Sequence, residues 1–148
     1  FNSDLRKLLS DKKNKARLKK DKNIFKGRKI LIVEDNEINI DIISDYLDDV
    51  EIKYDSVRNG LDAYNRIKQN HSYDCVLMDI KMPVMDGYEA TRKIRALDDE
   101  YVRKLPIIAM TANAFAEDVQ LAKNTGMNGH IAKPLDMNKL NDVLENWL

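Results

Sequence analysis

The chain predicts an α/β fold, a doubly wound five-stranded parallel sheet with helices on both faces, and three observations carry that expectation. From Lys29 onward, short β-rich runs alternate with amphipathic helical stretches. The first, third and fourth runs are almost continuously apolar, as strands covered on both faces must be. The runs also end on groups capable of chemistry: Glu34 and Asp35, then Asp79, then Thr111, then Lys133.

The elements follow in order. Strands are expected over 29–34, 51–57, 74–79, 105–111 and 129–132. After Asp35, Ile40, Ile43, Leu47 and Val50 share one helical face, and Leu61, Tyr64 and Ile67 do so in a second helix. Tyr88 to Leu97 makes a third helix, and Ala114 to Asn124 a fourth, closed by Gly126 in a position suited to a left-handed cap. Asp136 caps the fifth, whose buried stripe is Leu140, Val143, Leu144 and Trp147. Right-handed strand-helix-strand crossovers place these helices on both faces. The expected strand order is 2-1-3-4-5, which sets the ends of strands one and three side by side at the switch point where ligands bind. Ahead of the sheet, Asn2 to Lys22 carries Leu5, Leu8 and Leu9 at helical spacing and then a basic run free of Pro and Gly. It reads as an N-terminal helical extension with little to bury. Gly27 marks the division between an extension over 1–27 and a domain over 28–148.

Composition narrows the function. The formal net charge is zero across 148 residues, yet residues 1 to 28 hold 11 Lys or Arg against three Asp, leaving an acidic remainder. An acidic domain argues against nucleic-acid binding by its own surface. The basic segment lacks interleaved aromatics and reads as an inter-domain connector in preference to an arm for anionic lipid or nucleic acid. The single Cys75 lies in an apolar run, where a thiol acts as a small buried hydrophobe, and rules out a disulfide framework. No apolar run approaches the roughly 18 residues of a membrane span, so the expectation is a soluble, cytoplasmic fragment without membrane contact. Starting at Phe1, it looks excised from a longer chain, and a membrane-anchored parent remains compatible with it.

If the strands are parallel, three carboxylates, a hydroxyl and an ammonium converge on one rim. Carboxylates so close repel one another unless a cation sits among them. Mg²⁺, which prefers oxygen ligands and retains waters, suits a shallow open rim. Glu34 and Asp35 could alternatively cap the next helix, but Asp79 on a neighbouring strand end favours the metal. Asp79 can then act as a nucleophile toward phosphorus, forming an acyl phosphate, with Lys133 as the stabilising cation and Thr111 as a hydrogen-bond partner for a phosphoryl oxygen. The proline after Lys133 raises the chance of a cis peptide there.

Four stretches carry a family resemblance: Ile32-Val33-Glu34-Asp35-Asn36-Glu37-Ile38-Asn39, Asp74 to Gly87, Ile107 to Ala114, and Gly126 to Leu135. In this order, each at a strand end, they resemble a response-regulator receiver domain of the kind found in hybrid sensor histidine kinases. The resemblance implies that Asp79 accepts a phosphoryl group from a phosphohistidine on a kinase or phosphotransfer protein. It implies that Asp35 binds Mg²⁺ directly, Glu34 through water, and Lys81 through its backbone carbonyl. Thr111 and Lys133 would hold the phosphoryl oxygens, with Thr111 and His130 as switch residues. His130 stands where Tyr or Phe is more familiar, and reads more simply as an edge-strand histidine than as a pH sensor. His71 reads as a solvated helix end.

Lys81 and Asn113, two residues beyond Asp79 and Thr111, would influence the lifetime of the acyl phosphate. Met82, Met85 and Tyr88 read as packing residues. A haloacid-dehalogenase-like phosphatase also uses a strand-end Asp with Mg²⁺, but Lys81 stands where that family has its second Asp. A pseudo-receiver would lack the acids, and a flavodoxin-like carrier needs a hydroxyl-rich and Gly-rich loop after the first strand. The resemblance further implies an output surface at the fourth helix, fifth strand and fifth helix, passing the signal upstream, to a phosphorelay protein or through phosphorylation-dependent homodimerisation. A stand-alone response regulator is the alternative to a hybrid kinase.

Overall fold

The computed structural model describes residues 25–112 and 116–148, except the side chain of Ala116, so the expected extension over 2–22 lies outside the described residues. A five-stranded parallel sheet runs in the order β2-β1-β3-β4-β5. The elements are β1 (Lys29–Val33), α1 (Glu37–Asp49), β2 (Lys53–Val57), α2 (Gly60–Gln69), β3 (Cys75–Asp79), α3 (Gly87–Arg95), α4 (Glu100–Lys104), β4 (Ile107–Thr111), α5 (Ala116–Thr125), β5 (Gly129–Ala132) and α6 (Met137–Trp147). Every side chain of β3 and β4 is buried, which explains their unbroken apolar sequences.

Side-chain alternation divides the core in two. Ile30, Ile32, Cys75, Leu77, Ile108 and Met110 face α1 and α6, whereas Leu31, Val33, Val76, Met78, Ile107 and Ala109 face α2 to α5. Phe25 is fully buried in the first of these layers. A buried hydrogen bond from Tyr46 Oη to Asn141 Oδ1, 2.8 Å, joins α1 to α6. Helix starts are set by side chains: Asn36, Asn59, Asp86, Asp99 and Asp136 each accept a backbone N–H of the first turn.

Several boundaries depart from the sequence-based expectation for physical reasons. The second strand begins at Lys53 because Glu51 turns the chain with φ 60°. The fourth begins at Ile107 because Leu105 caps α4 and Pro106 has no N–H to donate to a ladder. Helix α4 was not expected; it is five residues long and buries only Val102, too little for periodicity to register. Trp147, expected in a buried stripe, and Leu61, expected on one face with Tyr64 and Ile67, are exposed at 38% each. The indole of Trp147 lies beside Gly129 at the start of β5, on the margin of the core.

The β3–α3 loop folds back on its own strand. Gly87 N–H donates to Ile80 O at 2.8 Å, and a Cβ on Gly87 would come within 2.2 Å of Asp79 O. Only glycine permits this approach, which seats the start of α3 against the last residue of β3. Gly87→Ala is therefore expected to lower stability by about 3 kcal/mol, the upper end of overpacking costs, in urea denaturation. An unchanged midpoint would contradict the contact.

Candidate functional site

The strand register builds the site. Val33 pairs with Met78 and Asp79 with Met110, while Thr111 pairs with Ala132. The residues that follow, Glu34 after β1 and Lys133 after β5, therefore emerge at the same rim as Asp79 and Thr111. Backbone bonds continue the ladder to this level: Glu34 N–H donates to Val57 O at 3.1 Å, Ile80 N–H to Met110 O at 3.3 Å, and Lys133 N–H to Thr111 O at 2.8 Å. The Lys133–Pro134 peptide is cis.

The side chains converge. Carboxylate oxygens of Glu34, Asp35 and Asp79 all lie within 4.8 Å of one another. Glu34 is fully buried, Asp79 is 4% exposed, and Asp35 is open to solvent. Lys133 Nζ donates to Asp79 Oδ1 at 3.0 Å and lies 3.4 Å from both Glu34 oxygens. Asn39 Nδ2 donates to Glu34 Oε1 at 2.8 Å. These groups floor and wall a cleft of about 440 Å³, to which Asn36, Lys81, Thr111 and Ala112 also contribute.

Electrostatics follow from burial. Burial pushes the Glu34 carboxyl up to about 7; the Asn39 amide works against this, the Asp79 charge adds to it, and Lys133 opposes it. Burial alone would lower the Lys133 ammonium, but hydrogen bonding and attraction to Asp79, with Glu34 behind it, hold it above its usual value. A carboxylate cluster of this kind stabilises any cation placed in it. The oxygen donors fit a hard divalent ion, with Asp35 supplying the solvent-facing side.

All the sequence-predicted rim residues, Glu34, Asp35, Asp79, Lys81, Thr111 and Lys133, line this one cleft. His130 does not; it is exposed on edge strand β5, paired in register with Ala109. Asn113 lies outside the described residues. His71 is more than a solvated helix end, since it stacks on Tyr101 at 4.5 Å and its Nε2 lies 3.4 Å from Asp99. The cleft walls not singled out as site residues from sequence include Asn39, Asp118 and Leu121. Tyr88, expected only to pack, does pack against the core and also lines the cleft. Asn39 stands within the first acidic motif, and its one-turn displacement from Asn36 was the available signal.

This combination of fold and rim defines a phosphoacceptor of the receiver class, and comparison with known proteins agrees. The family model for the response regulator receiver domain matches residues 30–145, and the chain belongs to that family. Hybrid signal transduction histidine kinase L of Dictyostelium discoideum is 39% identical over 122 residues, covering 80% of this chain and 7% of that protein. The chain thus spans a small part of the curated relatives it matches. The crystal structure of the receiver domain of sensor histidine kinase PA1611 from Pseudomonas aeruginosa PAO1, with a magnesium ion in its active-site cleft, is 40% identical with TM-score 0.74, covering 82% of this chain and 97% of that one. The receiver in the co-crystal of the Saccharomyces cerevisiae phosphotransfer protein Ypd1 with the receiver domain of Ssk1 is 29% identical with TM-score 0.75, covering 83% and 90%. No helix among the described residues is long and apolar enough to cross a membrane.

The raised Glu34 value has a defined consequence for stability without metal. Its folded value, about 7, exceeds the ordinary 4.5, so the folded state holds the proton more tightly. Stability from this group is intact below the unfolded value and declines as pH rises to the folded one, by at most about 3 kcal/mol. In EDTA, wild type should lose more stability than Glu34→Gln between roughly pH 5 and pH 8 in urea denaturation. Parallel losses in the two proteins would contradict the assignment.

Proposed function

We propose that this domain accepts a phosphoryl group on Asp79 from the phosphohistidine of a histidine kinase or phosphotransfer protein, within a hybrid sensor histidine kinase, and thereby switches a signalling surface. The observation that carries this reading is the 3.0 Å pair between Lys133 Nζ and Asp79 Oδ1, set beside Glu34 and Asp35 on one sheet rim. An Asp79 carboxylate oxygen attacks phosphorus as the P–N bond of the donor breaks, and the electron pair returns to the imidazole nitrogen. Lys133 keeps its ammonium over the reacting oxygens, and Thr111, 9% exposed at the end of β4, takes a phosphoryl oxygen from the other side. Asp35 and Asp79, the Lys81 carbonyl and Glu34 through water would hold magnesium. When bound, that ion neutralises charge on the transferring group.

Burial favours a large donor surface fitted to the cleft. Asp79 is almost inaccessible, while apolar side chains stand unburied on the elements that surround this rim: Ile38 in the first turn of α1 is 69% exposed, Val84 in the β3–α3 loop is 77%, and Leu121, on the cleft wall, is 40%. A protein donor with an apolar margin around its histidine would cover them, and the co-crystal of the phosphotransfer protein Ypd1 with the Ssk1 receiver supports a phosphotransfer protein as donor. For the output, His130 and Thr111 lie on one face of adjacent strands, offset by one register step of two residues across Ala109. Movement of Thr111 toward a phosphoryl oxygen would free space that His130 borders, altering α5, β5 and α6. We read residues 1–27 as a basic connector and the setting as cytoplasmic.

Incubation with Mg²⁺ and acetyl phosphate should add one phosphoryl mass to the intact protein, and Asp79→Asn should add none. The same increment on Asp79→Asn would remove Asp79 as acceptor.

A further inference from the structure

Glu34 is a fully buried carboxylate on a side chain one methylene longer than aspartate, and that extra torsion has to be restrained if the acid is to face the cleft. Two donors reach it. Lys133 lies 3.4 Å from each oxygen but makes its shorter bond, 3.0 Å, to Asp79. The Asn39 amide reaches Oε1 at 2.8 Å and serves no other acid among the described residues. Asn39 is itself fixed, because its backbone N–H donates to the Asn36 cap at 3.3 Å and its half-buried side chain lines the cleft.

We propose that Asn39 is a positioning residue for the magnesium site: its amide pins Oε1 of Glu34 against the first turn of α1, leaving Oε2 to face the cation's water shell. The inference rests on the reading of the rim as a magnesium site. A neutral donor suits this task better than a basic one. It satisfies the buried oxygen without placing a competing positive charge in the cleft, and it stays in place when Lys133 turns to a phosphoryl group. The geometry also links two sequence positions. A glutamate at position 34 can reach the helix turn at position 39, whereas an aspartate is too short to do so.

The test is a double-substitution cycle read by calorimetric titration of the phosphate-free domain with Mg²⁺ alone. Asn39→Leu keeps the branching of the side chain and does not weaken the helix but removes the donor, and should weaken magnesium binding about tenfold, the usual effect of losing a group that orients a metal-binding carboxylate. In a Glu34→Asp background the same change should alter affinity by less than about twofold, because no bond remains to be lost. Urea midpoints in EDTA show whether Asn39→Leu leaves the fold intact. Equal weakening by Asn39→Leu in both backgrounds, or no weakening in the wild-type background, overturns the positioning role while leaving the magnesium reading in force. Failure of the wild-type domain itself to bind Mg²⁺ overturns both.

Discussion

Like charges held in a water-poor rim need a counter-charge, and that constraint organises this molecule. Glu34 and Asp79 are buried at the ends of neighbouring parallel strands, and Asp35 joins them from the solvent side. Among the described residues, the counter-charge that reaches both buried acids is Lys133, delivered from the far edge strand by the bond between its N–H and Thr111 O. The ammonium offsets the repulsion within the cluster. It also keeps the cluster responsive, since a salt bridge that shares one ammonium between two acids is easily rearranged when a cation or phosphoryl group arrives.

The scaffold serves that constraint. A parallel order with β1 beside β3 and β4 beside β5 brings four strand ends to one rim, and two apolar layers hold the strands in register. A one-residue slip of β3 would send Asp79 to the opposite face and bring Met78 to the cleft. The loop after β3 secures the same position from above, because Gly87 seats α3 against the Asp79 carbonyl at a distance no side chain tolerates. Val84, in the same loop, adopts φ 69° while 77% exposed, an arrangement in which a β-branched residue gains little packing from its own domain.

Much of this was legible in the sequence because its strongest signals are local. Unbroken apolar runs ending in acids at Glu34 and Asp79 mark buried parallel strands, and the strand order follows from placing those ends together at a switch point. The less legible features depend on contacts between distant segments. Helix α4 has one buried residue and no period to read. Trp147 looks like part of an apolar stripe, but its position one turn beyond Leu144 carries it to the margin beside Gly129. Leu61 stands in the first turn of α2 beside the buried line of Gly60, Ala63 and Ile67, which carries it to the flank of the helix. The site followed the same rule: each rim acid announced itself at a strand end, whereas the role of Asn39 depends on the fold bringing its amide 2.8 Å from Glu34. His71 needed Tyr101 and Asp99, both remote in sequence, before its surroundings could be described.

A crystal structure of the domain with Mg²⁺ and beryllofluoride tests the central claim most directly. The account predicts magnesium between Asp35 and Asp79, beryllofluoride on the Asp79 carboxylate, and the Lys133 ammonium transferred from Glu34 to the fluorines. A cleft without magnesium, with Lys133 still bridging Glu34 and Asp79, would contradict it.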